Sequence, residues 1–129
     1  MKIINLSSLN GSNGFRLDGG TEGNSSGASV SNAGDVNGDG FDDVLIGAPR
    51  ANPANFFNGS TYLVFGKATG FSAEVNLSSL DGSNGSRLDA GRADDNGVFS
   101  GTAISTAGDV NGDGLDDMII GAGGYGVDH

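Results

Sequence analysis

Two nine-residue stretches concentrate the polar chemistry of this chain: DVNGDGFDD at residues 35–43 and DVNGDGLDD at 109–117. Each places side-chain oxygens at loop positions 1, 3 and 5 and an acid at position 9. In the first loop these are Asp35, Asn37, Asp39 and Asp43, and in the second Asp109, Asn111, Asp113 and Asp117. Alternate residues of a tight curl can turn their oxygens inward, and glycines at positions 4 and 6 permit the positive φ angles such a curl needs. A set of hard oxygen donors in a flexible loop suits Ca²⁺, which takes six to eight oxygen ligands. The backbone carbonyls of Phe41 and Leu115 supply position 7 in this reading, and Asp43 and Asp117 close the two shells, bidentate. Asp42 and Asp116, at position 8, point to solvent or bond loop amides. Without a cation, three carboxylates in each loop face one another and repel. A metal-free Asp/Gly turn is the plainer alternative; two near-identical copies, each running straight into an apolar strand, argue against it. An EF-hand is excluded, since position 12 is Ile46 or Ile120 where that loop needs Glu, and no helical pattern flanks it.

Other residues suggest catalysis and fail on context. Gly121–Gly126 matches GxGxxG, but a dinucleotide site needs a helix after the glycines to receive the pyrophosphate. Gly23-Asn-Ser25-Ser-Gly27 matches GxSxG, yet no strong strand precedes Ser25 and no helix follows it, as a nucleophile elbow requires. The only histidine is the terminal His129, a poor place for a rigidly held general base. The acids could form a carboxylate pair for glycoside hydrolysis, but the ligand spacing in both copies explains them better. The chain reads as a non-enzyme.

The elements that must position the loops come from an internal repeat. Residues 5–18 (NLSSLNGSNGFRLD) recur at 76–89 with 12 of 14 positions identical, and residues 27–48 recur at 101–122 with 15 of 22 identical. A unit of this length suits one blade of a β-propeller better than a helical solenoid. Strands are expected at Ala28–Ala33 and Thr102–Ala107. Short continuous apolar runs at Asp43–Ala48 and Asp117–Ala122 read as strands covered on both faces. Ser60–Phe65 has strand composition. A weaker fourth strand lies within Glu74–Asp89, with its counterpart in Lys2–Asp18. The fold class is therefore all-β, with propeller blades of four antiparallel strands, about one and a half to two of them. Residues 1–18 carry outer-strand material, 19–89 a complete repeat and 90–129 a partial one. Open edge strands invite pairing, and a propeller closes with typically four to eight blades. Further blades then come from a longer parent chain or from a homo-oligomer, the former being preferred.

Composition narrows the function classes. A net charge of −10, with sixteen acids against six Lys and Arg, argues against nucleic acid as a partner. Eight of the sixteen acids lie in the two loops, so the acidity is local. No apolar run reaches the length of a membrane span, and the N-terminus does not read as a signal peptide.

With DVNGDGFDD leading into VLIGAP, and STYLVFG some residues later, the chain resembles the FG-GAP repeat family, the repeat of the integrin α-subunit β-propeller and of many bacterial exported proteins. Gly47-Ala48-Pro49 matches the GAP element and Phe65-Gly66 the FG element. In the second unit Gly121-Ala122-Gly123 lacks the proline. The resemblance implies a seven-bladed propeller in the full-length protein. It also implies Ca²⁺ loops between the first two strands of a blade, away from the usual ligand face, and work in extracellular recognition or adhesion on a protein or glycan ligand. An extracellular or cell-surface location follows. Two alternatives stand beside it: the non-catalytic repeat portion of a larger exported, phospholipase-like hydrolase, and a propeller fragment that assembles from several chains. The connectors GGTEGNSSG and GRADDNGVFSG read as solvated links between blades, or as variable loops on the ligand face.

Overall fold

The computed structural model describes residues 1–51, 58–91 and 97–124. They form eight strands: β1 (Arg16–Asp18), β2 (Ser29–Gly34), β3 (Asp43–Ala48), β4 (Ser60–Val64), β5 (Glu74–Asn76), β6 (Gly85–Asp89), β7 (Ser100–Gly108) and β8 (Asp117–Ala122). Four of them make one antiparallel sheet in the order β2-β3-β4-β6, and β7 and β8 make a second. The architecture is all-β, with antiparallel sheets as in a partial propeller.

β3 shows why the first sheet is stable. Its run DVLIGA carries Leu45, fully buried, and Ile46, 4% exposed, on successive residues and hence on opposite faces. Ile46 joins Ala48, Tyr62, Val64 and Leu77 in one apolar cluster. Leu45 joins Ala33 and Leu63 in another, against which Ile104 of β7 and Met118 of β8 pack. The second cluster is the seam between the two sheets, which stack face to face. Polar bonds cross the same seam: the Ser29 hydroxyl donates to the Gly101 carbonyl at 2.7 Å, and the Ser100 N–H donates to the Asn58 carbonyl at 2.8 Å. The next residue of the chain, Gly59, accepts from the Ala90 N–H at 3.4 Å. The segment after β6 therefore leaves and returns against neighbouring carbonyls of one short stretch.

β3 and β8 match the expected spans. β7 begins two residues earlier than expected, because Ser100 and Gly101 are held against the first sheet. The strand expected at Ser60–Phe65 ends at Val64, and the Phe65 N–H bonds the Asn84 carbonyl. The weaker outer strand is split. Asn76 caps a single 3₁₀ turn, Leu77–Ser79, by accepting from the Ser78 N–H at 2.9 Å, and Asn5 does the same for Leu6–Ser8. Side-chain bonds of this kind compete with a β-ladder, so β5 and β6 lie on either side of the turn. β5 pairs in parallel with β1, and Arg16 bridges Asp18 at 2.6 Å and Glu74 at 2.7 Å. No helix among the described residues is long and apolar enough to cross a membrane.

Candidate metal centre

Both loops are shaped by their own side chains. Asp35 Oδ1 accepts from the N–H groups of Gly38 and Asp39 at 2.7 and 3.1 Å, and Oδ2 from Gly40 at 2.9 Å. Asn37 Oδ1 accepts from Asp39 at 3.1 Å, and Asp39 Oδ1 from Phe41 at 2.9 Å. The second loop repeats the pattern: Asp109 accepts from Gly112, Asp113 and Gly114 at 2.7, 3.1 and 2.9 Å, Asn111 from Asp113 at 3.0 Å, and Asp113 from Leu115 at 2.9 Å. These are nested turns in which a short polar side chain bonds the backbone a few residues on. Gly38 and Gly40, at φ +78° and +89°, supply the left-handed residues that the curl requires.

The position-9 acids differ between copies. Asp43 is 1% exposed; its Oδ2 accepts from Val36 N–H at 3.0 Å and its Oδ1 from Gly66 N–H at 2.9 Å. It thus ties the end of the loop to the turn after β4. Burial pushes its carboxyl above the usual range, opposed by the Gly66 and Val36 bonds and reinforced by Asp39 and Asp35. Asp117 is half-buried and accepts from Val110 N–H at 2.8 Å. Asp109 is held below the usual carboxylate range, first by the Gly114 N–H and then by those of Gly112 and Asp113.

The three carboxylates of the first loop stay within reach of one another's charge, since Asp39 and Asp35 both act on Asp43, but their oxygens do not converge on one point. Among the described residues no three Asp, Glu, His or Cys side chains gather closely enough to hold an ion. Each carboxylate is turned onto loop N–H groups instead. Asp35, Asn37, Asp39 and Asp43 share one curl, as do Asp109, Asn111, Asp113 and Asp117. Phe41 and Leu115 sit at position 7 with their side chains partly exposed.

Chemically the donors fit a hard cation. All are oxygens, and a carboxylate offers about four lone-pair sites; Asp35 uses three for N–H bonds, Asp39 and Asp43 two each. No basic side chain neutralises them: among the described residues the ion pairs join Arg16 to Asp18 and Glu74, and Arg87 to Asp89. A bound ion would draw on the asparagine amide oxygens and backbone carbonyls as well as on the acids.

Position 8 acts in a way the sequence only half suggests. Asp42 accepts a long 3.3 Å bond from the Asn32 amide. Asp116 bonds a loop amide, but in the other loop: its Oδ2 accepts from Asp35 N–H at 2.8 Å. The repeated Ala-Gly before each loop was the signal available, since Gly34 is where that carboxylate arrives.

At the opposite end of the strands, where Ala48, Ser60 and Asp89 lie in register, a cleft of about 460 Å³ opens. The 19–27 connector borders it through Gly20 and Asn24, and Tyr62, Leu77, Arg87 and Asp89 line the rest. In the connector Ser25 has φ +56°, but it belongs to a turn closed by the Ala28 N–H on its carbonyl. His129, the Tyr125–Gly126 end of the glycine motif and residues 92–96 of the second connector lie outside the described residues.

Two stacked antiparallel sheets, each with an acidic curl between its first two strands, define a segment of a repeat-built β-propeller. The chain belongs to the FG-GAP repeat family: that family's profile matches residues 26–64 and 100–129, more than half of the sequence. It is also similar to Integrin alpha-PS5 of Drosophila melanogaster, 32% identical over 101 residues. That alignment covers 76% of this chain and 9% of the relative, so the chain spans a small part of that protein. FG-GAP and integrin-α-like repeats are generally non-enzymatic.

Proposed function

We propose that this chain is a calcium-stabilised, non-catalytic propeller segment that serves extracellular recognition or adhesion. The observation that carries the reading is the pair of oxygen-lined curls whose acids no described basic side chain neutralises. Asp35, Asn37, Asp39, Asp43 and the Phe41 carbonyl are the donors in the first site; Asp109, Asn111, Asp113, Asp117 and the Leu115 carbonyl are those in the second. Bound Ca²⁺ supplies positive charge that offsets the repulsion among these acids. The protein's own part is to hold the curl between β2 and β3, and between β7 and β8, through its N–H bonds. Extracellular calcium modules of modest affinity have dissociation constants of about 10⁻⁴–10⁻³ M, which suits a location where calcium is abundant. The similarity to an integrin α chain supports the same setting. The connector and cleft at the far end of the strands are the surface offered to a protein or glycan ligand.

Thermal melts of the wild type in Ca²⁺ and in excess EDTA test the metal reading. The midpoint is expected to be higher with Ca²⁺, and the difference to vanish in the Asp39→Ala, Asp113→Ala double variant. Identical wild-type melts would remove calcium from the account.

A further inference from the structure

The two acidic curls touch each other, and they do so through residues that stand beside proposed calcium donors. Asp116 lies between Leu115, whose carbonyl takes position 7 of the second curl, and Asp117, the position-9 acid. Its Oδ2 accepts from the Asp35 N–H at 2.8 Å, and its own N–H donates to the Asp35 carbonyl at 3.1 Å. Asp35, the position-1 donor of the first curl, is therefore gripped at both backbone polar groups by one residue of the second. A β-carbon at Gly34 would collide with the Asp116 carboxylate, so glycine leaves the space that the acid fills.

Leu115 makes a second contact between the curls. Its Cδ2 lies 2.8 Å from where a β-carbon on Gly38 would stand, and the Gly38 N–H is one of those that hold the Asp35 carboxylate. Position 8 of the first curl behaves differently: Asp42 meets Asn32 of its own hairpin through a long 3.3 Å bond.

We propose that Asp116 is a positioning residue that couples the two calcium sites, so that an ion in either curl raises the affinity of the other. The proposal rests on the calcium reading of the curls. Asp116 belongs to neither donor set, yet both its chain neighbours belong to the second. An ion in the second curl fixes the Leu115 carbonyl and the Asp117 carboxylate, and Asp116 is ordered between them. Asp35 is then held in place before the first curl receives its own ion, so less ordering entropy is lost when it does. Two dications also repel, but the curls are exposed and water screens that effect. Coupling between binding sites is reciprocal, so the first ion favours the second equally.

Titration of the full chain with CaCl₂, followed by NMR, tests the coupling. The Gly40 and Gly114 amides report the two curls separately, since each bonds the position-1 acid of its own curl. Asp113→Ala disables the second curl and is expected to raise the Ca²⁺ concentration that half-fills the first several-fold. Asp39→Ala is expected to do the same to the second curl. In an Asp116→Ala background neither substitution is expected to move the other curl's midpoint. Asp116→Asn, which keeps one neutral acceptor oxygen, is expected to retain part of the coupling. Curls that each bind Ca²⁺ but fill independently in the wild type would overturn the proposal and leave the calcium reading intact. Coupling undiminished in Asp116→Ala would also overturn it, whereas a wild type that binds no Ca²⁺ at either curl would remove both.

Discussion

Asp43→Ala separates a structural acid from a merely acidic loop. Asp43 is the most buried of the loop acids and serves two part-buried donors, Val36 N–H and Gly66 N–H. Leaving a buried donor unpaired costs about 1–3 kcal/mol, so losing both acceptors costs about 2–6 kcal/mol. One effect opposes this: burial disfavours the ionised carboxylate, and the substitution removes that charge. Wild type can relieve that penalty by protonation and still offer acceptor oxygens, whereas alanine leaves both donors unpaired, so a net loss is expected. Asp43→Asn keeps one acceptor oxygen and should fall between alanine and wild type. Asp117→Ala removes a single bond to Val110 N–H in an exposed setting, where water takes over, so about 1 kcal/mol or less is expected. Urea unfolding in EDTA, followed by tyrosine fluorescence with Tyr62 in the core, measures all three without a metal contribution. A loss for Asp43→Ala within about 0.5 kcal/mol of wild type, or one equal to that of Asp117→Ala, would refute the reasoning.

The contact of Asp116 with the Asp35 N–H and the outer ion pair are open to similar measurement. Gly34→Ala meets both a positive φ and the Asp116 carboxylate, whereas Gly108→Ala meets only the φ penalty of about 1–2 kcal/mol. The first should therefore unfold at lower urea than the second, and Asp116→Ala should recover part of the difference; equal losses would contradict it. Asp18 is held below its usual pKa of 3.8, first by the Arg16 hydrogen bond and then by its charge, against a desolvation effect. Because the folded value lies below the unfolded one, the stabilisation is present above the unfolded pKa and is lost as pH falls through the folded value. Arg16→Gln should move the Asp18 titration, read by NMR, upward toward the usual value; an unmoved midpoint would show that Arg16 is not the cause.

Legibility in the sequence followed where the decisive contacts lie. β3 and β8 are plain because a strand buried on both faces writes itself as a continuous apolar run, DVLIGA or DMIIGA. The acidic curls are plain because the bonds within them span only two to seven residues. β1 and β5 are not, since each is three residues long and finds its partner 58 positions away through a parallel pairing that the Arg16–Glu74 bridge closes at one end. Asp43 read as the last ligand of a shell; that it also serves the turn at Gly66 depends on where β4 ends, 23 residues later. Asp116 reads as facing solvent or a loop amide; the amide it meets belongs to Asp35, 81 residues earlier. Only stacking of the sheets brings those two together.

The anchoring of Ala90 and Ser100 on the adjacent carbonyls of Gly59 and Asn58 has a use in engineering. Both ends of the intervening segment are pinned to one short stretch of scaffold, so its length is decoupled from the packing of the sheets. The two repeats already differ by three residues in this connector. The entropy of closing a longer loop grows only slowly with length, by about 0.6 kcal/mol per doubling. Foreign peptides inserted between residues 90 and 97 should therefore cost the fold little stability, which makes this connector the natural graft site of the molecule.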